Sequence, residues 1–144
     1  MTYNQLLSTL TTLLQSHAMI KTVLTNPPNN WLRRSEQPVY PVCCFTVLTG
    51  TANKGLEQEF NVQFWFLDKS GAENEFEDDV ISDQMQIAID IIELIRGTKR
   101  TYTIEDDVTI NTISDKYEDF LAGTEFTTLI TTQGSYDGCD VPTV

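Results

Sequence analysis

The sequence predicts an α+β fold, with a mainly antiparallel sheet and two helices packed on one of its faces. Three observations lead there. Apolar residues recur at helical spacing over 2–17 and again over 76–96. Residues 56–68 alternate with a period of two. The strand-like segments are grouped between and after the helices instead of alternating with them, which favours an antiparallel sheet over a βαβ array. A chain of 144 residues can bury about 70% of its unfolded surface in one core, so residues 1–144 are read as a single domain. Hydrophobic residues make up 40% and charged residues 21%, ordinary globular usage that argues against wholesale disorder.

The first helix, "TYNQLLSTLTTLLQSH", places Leu6, Leu10, Leu13 and Leu14 with Tyr3 and Leu7 on one stripe, and Thr2 with Gln5 forms a capping-box signature. Its other face is rich in Ser and Thr, poor helix formers, so the helix depends on docking the leucines. Residues 25–38, with Pro27, Pro28 and Pro38, read as a loop. "VYPVCCFTVLT" (39–49) reads as a strand, with Pro41 near its start or at a sheet edge. In "LEQEFNVQFWFLD" the residues Phe60, Val62, Phe64 and Phe66 form one face, and the two strands make a hairpin whose loop, 49–56, projects beyond the sheet.

The second helix opens with Glu75, Glu77, Asp78 and Asp79 and closes with Arg96 and Gly97, the arrangement that suits the helix dipole and its stop signal. Ile81, Met85, Ala88, Ile92 and Ile95 form one stripe, and Val80, Ile87, Ile91 and Leu94 a second beside it. So wide a band calls for cover by the sheet on one side and by the first helix or another subunit on the other. "RTYTIED" and "DVTINTIS" are short strands, "DKYEDFLAG" is a bend eased by Gly123, and "TEFTTLITT" is the last strand, followed by an arm over 133–144.

Nine basic against 21 acidic residues give a net charge of −12. Nucleic-acid binding through counterion release needs a basic stripe, and only Arg33-Arg34 and Lys99-Arg100 supply even a pair, so tight binding of DNA or RNA is disfavoured. No apolar run approaches the roughly 20 residues that span a bilayer, and no membrane partner is expected. The N-terminus lacks a signal-peptide pattern, and with an odd number of cysteines (Cys43, Cys44 and Cys139) reduced thiols in a cytoplasm are expected.

Catalytic patterns are sparse. The one histidine, His17, sits where a helix C-terminus favours a cation and reads as a cap, not a base. The sequence has no nucleophile elbow, P-loop or dinucleotide fingerprint. The acids of 73–83, and Asp115, Glu118 and Asp119, do not follow EF-hand spacing, and the cysteines lack zinc spacing. Neither a metal nor a cofactor is expected, and Cys43 and Cys44 read as buried, inert thiols in a strand. Trp31 with Arg33 and Arg34 is the loop cluster of interface type, against the alternative that Trp31 folds onto its own sheet.

Taken together, "PVYPVCCFTVL", "FNVQFWFLDKSG", "DDVISDQMQIAIDIIELIRG" and above all "DKYEDFLAGTEFTTLITTQGSYDGCDVP" resemble the tail-terminator and neck (head-to-tail connector, or tail-completion) proteins of tailed bacteriophages. The resemblance covers nearly the whole chain and implies a tail-terminator-like fold without catalytic activity. It further implies a homomeric ring, sixfold or twelvefold, in the virion neck or at the head-proximal end of the tail, assembled in the host cytoplasm. The implied neighbours are the tail tube and neck or portal-side proteins, with DNA passing through unbound. Contacts would then come from the hairpin loop, with Asn53, Lys54 and Leu56, and from the C-terminal arm, with Tyr136, Cys139 and Pro142. Two other readings compete: an acidic DNA mimic that inhibits a nucleic-acid-binding protein, and a small metal-assisted enzyme using the acidic clusters.

Overall fold

Two long strands and a third laid beside them decide the architecture. In the computed structural model, which describes residues 2–31, 38–71, 76–97, 102–114 and 121–133, the fold is α+β. Helix α1 (Tyr3–Gln15) is followed by β1 (Thr22–Leu24), a single helical turn α2 (Pro28–Trp31), β2 (Val42–Ala52), a 3-10 turn (Lys54–Leu56) and β3 (Glu57–Lys69). Helix α3 (Glu77–Arg96), β4 (Tyr102–Ile104), β5 (Ile110–Ile113) and β6 (Leu121–Gln133) complete the chain. The six strands lie in the order β1-β2-β3-β6-β4, with β5 also on β6. Every pairing is antiparallel except β1 with β2, a parallel contact of three residues.

Local signals act where they were expected. Thr2 Oγ1 accepts the Gln5 N–H at 3.2 Å and Gln5 Oε1 accepts the Thr2 N–H at 2.7 Å, the reciprocal capping box that satisfies two orphan donors. Leu6, Leu10, Leu13 and Leu14 are buried, whereas Tyr3 lies on the exposed side of the first turn. On α3 the buried stripe is Val80, Gln84, Ile87, Ala88, Ile91, Ile92 and Ile95, so a glutamine occupies a place in an otherwise apolar band and Leu94 lies at its exposed margin.

The register puts one aromatic row across three strands. Phe45 pairs with Phe64, and Phe64 with Phe126, with ring centroids 5.7 and 4.8 Å apart. Phe66 stacks on Phe126 from the next position at 5.8 Å. These rings join Cys43, Val62 and Ile130 in one cluster with the leucines of α1 and the isoleucines of α3. The reverse of the sheet is also buried at one end, where Val42, Cys44, Trp65, Leu67, Ile113 and Leu121 form a second cluster. Period-two alternation in β3 marks one core face, yet Phe64 through Leu67 are all buried because the chain covers both sides there.

Three expectations are corrected. Residues 25–38 hold more than a loop, because α2 occupies Pro28–Trp31: proline lacks only an N–H that a first helical turn leaves unpaired, so Pro28 can open α2. The hairpin loop is shorter than 49–56. Gly50, Thr51 and Ala52 stay paired with Phe60, Glu59 and Gln58, and Gly55, at φ 80°, takes the left-handed conformation that lets residues 53–56 close the turn. The parity of β2 changes at a bulge, with Leu48 as the extra residue. Gly123 is no bend before the last strand but lies inside β6, opposite Leu67, where an added Cβ would fall 1.9 Å from the Phe66 carbonyl oxygen.

Gly123→Ala therefore forces β3 and β6 apart, and urea unfolding should show a loss of about 3 kcal/mol, at the upper end of overpacking costs. Thr128 presents the opposite case. Its hydroxyl is fully buried without a hydrogen-bond partner, while the flanking Thr124 hydroxyl donates to the Gln84 carbonyl of α3 at 3.2 Å. Thr128→Val keeps the shape and removes the desolvated hydroxyl, so it should raise stability by about 1 kcal/mol in the same assay.

Candidate interaction site

The hairpin tip is the described part of the expected contact surface. The Asn53 N–H donates to the Glu57 carbonyl at 2.8 Å and closes the turn, Lys54 is exposed on it, and Leu56 ends the 3-10 segment. In the β3–β6 ladder Glu57 pairs with Gln133, so β6 ends beside this tip. Tyr136, Cys139 and Pro142 lie outside the described residues.

Trp31 closes α2, in the segment that joins β1 to the start of β2. β1 is registered on Val42–Cys44, about 30 Å along β2 from the tip at 3.3 Å per residue. Arg33 and Arg34 lie outside the described residues, as do Lys99, Arg100, Asp115, Glu118 and Asp119.

His17 has a partner that the sequence does not reveal. Beyond the end of α1 its Nδ1 accepts the Met19 N–H at 3.1 Å, which leaves the ring proton on Nε2, and Nε2 donates to Asp90 Oδ2 at 3.0 Å. Gln86 Nε2 adds a second donor to Asp90 from one turn earlier on α3, at 2.9 Å. The His17 hydrogen bond and then that of Gln86 hold the Asp90 carboxyl below the usual carboxylate range. Both ring nitrogens are engaged, so the histidine staples α1 to α3 and offers neither nitrogen to a substrate. The sequence signal was Asp90 itself, a lone acid inside the run "IAIDII".

Cys43 and Cys44 are buried and, as neighbours in a strand, point to opposite faces, one into each cluster. Burial pushes the Cys43 thiol well above its ordinary range, and the neighbouring Cys44 adds to the effect. A thiol so held is a poor nucleophile. Burial likewise raises the Asp68 carboxyl, with the charge of Asp83 adding to it and the Lys69 N–H opposing it. Glu77, Asp78 and Asp79 occupy the first turn of α3, where the dipole favours them. Among the described residues no group of three or more His, Cys, Asp or Glu is arranged to hold a metal ion, and no helix is long and apolar enough to cross a membrane.

A cleft of about 270 Å³ lies between the end of α3 and the β4–β5 connection, lined by Ile92, Glu93, Arg96, Asp106, Val108 and Ile110. The Arg96 guanidinium donates to the carbonyls of Glu105 (3.1 Å) and Asp106, so its charge braces the connection. No protein-family model matches this chain, and no curated protein matches it significantly.

The staple makes a pH-dependent prediction. An acid whose folded pKa is depressed contributes stability above its unfolded pKa, near 3.9, and that stability is lost as the pH falls through the folded value. Because the Asp90 side chain is 41% exposed, solvent limits the effect. Asp90→Ala should cost under about 1 kcal/mol at pH 7, and thermal melts of variant and parent should converge as the pH falls below about 3.

Proposed function

We propose that this protein is a non-enzymatic structural component of a tailed-bacteriophage virion, forming a homomeric ring of six or twelve copies at the neck or the head-proximal end of the tail. The tail tube would lie on one side of the ring and neck or portal-side proteins on the other. The observation that supports this reading is that the hairpin tip and the end of β6 lie together. The β2–β3 turn with Asn53, Lys54 and Leu56, and Gln133, the last residue of β6, share one end of the sheet. Such an end serves for reaching a neighbour, while α1 and α3 are packed in the main core cluster.

The role is geometric. A ring closes through a heterologous interface, one surface of each copy meeting a different surface of the next. The ring stops tube growth, offers a docking face and leaves a channel. At −12 per copy the channel wall would not hold a phosphate backbone, so DNA would slide past it. The engaged His17 and the buried thiols favour this reading over a hydrolase using either as base or nucleophile.

Electron microscopy of the purified full chain should show closed rings of six or twelve, and density for the same chain should be found at the neck of intact virions. A strictly monomeric protein at high concentration, combined with its absence from purified virions by mass spectrometry, overturns the reading. A salt-sensitive complex with a basic, nucleic-acid-binding protein would replace it with the DNA-mimic alternative.

A further inference from the structure

We propose that the outer edge of β2, from Phe45 to Ala52, is a self-association site that pairs antiparallel with the same edge of a second copy of this chain. The two margins of the sheet differ in kind. At the β6 margin β4 covers Thr132 to Ile130, and β5 covers Phe126 to Gly123. In the gap between them the Leu129 N–H donates to Glu105 Oε1 at 2.8 Å. That margin is closed by short strands and by an acidic side chain, the usual defence of a sheet edge. At the other margin β1 covers only Val42, Cys43 and Cys44, and among the described residues no strand pairs with the outer side of β2 beyond them. Among the described residues, an edge of eight residues stays open.

Charge selects the occupant. Residues 22–32 and 38–53 carry no charged side chain, so β1, α2 and β2 form a neutral margin on a protein of net charge −12. A basic partner would be drawn to the acids elsewhere, and a nucleic acid finds no cation here. Two copies of an acidic chain repel across most of their surfaces within a Debye length of about 8 Å, and a neutral edge is where they can approach to hydrogen-bond distance. β-Augmentation needs two open edges, and among the described residues β2 offers the longest, the outer sides of β1, β4 and β5 being three or four residues long. The contact is therefore isologous.

The open stretch is bounded by β1 at one end and by the turn at the other, which centres the dyad between Leu48 and Thr49, with Phe45 opposite Ala52 of the second copy. Leu48, 49% exposed at the bulge, then meets its own counterpart across the dyad. The pairing stands apart from the ring reading and by itself makes a dimer.

Sedimentation of the full chain should give a mass of two copies or an even multiple. The double variant T49E/T51E, at two exposed positions of the edge, adds four like charges per pair and should weaken that association at least tenfold, with the circular dichroism melt as folding control. In a C139S background, a nitroxide on T49C should report a distance between copies of under about 20 Å, since cross-strand Cβ atoms lie about 5 Å apart. A single-copy mass at every concentration, a dimer indifferent to T49E/T51E, or the absence of that short distance overturns the proposal. If the double variant does not fold, the T49C distance decides.

Discussion

The row of Phe45, Phe64 and Phe126 is the constraint from which the rest of the molecule follows. Three rings side by side on consecutive strands can stack only if both ladders are in register. A slip by one residue would turn each ring to the opposite face and bring threonines, glutamine or glutamate into the core. Once the row is set, Val62, Phe66 and Ile130 fall on the same face, and α1 and α3 have an apolar surface on which to dock their leucines and isoleucines. Gly123 belongs to the same constraint. The β3–β6 ladder runs so close at Leu67 that no side chain fits, so the register needed by the phenylalanines requires a residue without Cβ three positions before Phe126.

Around this core the polar groups serve mainly to fasten elements together. The Thr124 hydroxyl ties β6 to the backbone of α3, the His17–Asp90 hydrogen bond joins the end of α1 to α3, and Arg96 holds the β4–β5 connection by its carbonyls. Each of these groups resembles a piece of catalytic apparatus when read alone, and each has its hydrogen-bonding capacity spent on the fold. Among the described residues, the neutral margin of β1 and β2, the hairpin tip and the surface acids are left outside these contacts.

Much of the fold was legible residue by residue. Thr2 and Gln5 announced the capping box, the acids and the Arg96-Gly97 pair bounded α3, and Phe60 to Phe66 declared the core face of β3, because each signal is local and acts within a turn or across a pleat. The misses were of another kind. β1 has three residues and gains its identity only from lying beside Val42–Cys44. Gly123 read as a bend because the closeness of Phe66, distant in sequence, is invisible along the chain. The partner of His17 lies 73 residues away. Of the candidate contact residues, sequence named the tip, but not that β6 ends beside it.

By itself, then, the sequence determined the class of fold, the two amphipathic helices, the hairpin and the acidic charge, since periodicity and composition are properties of the chain. Only the tertiary structure decided which margin of the sheet is closed and which is open among the described residues, which core cluster each of Cys43 and Cys44 enters, and that the histidine is a staple. Those outcomes depend on contacts between residues far apart in sequence, whose hydrogen bonds and close approaches exist only once the register of the long strands has been chosen.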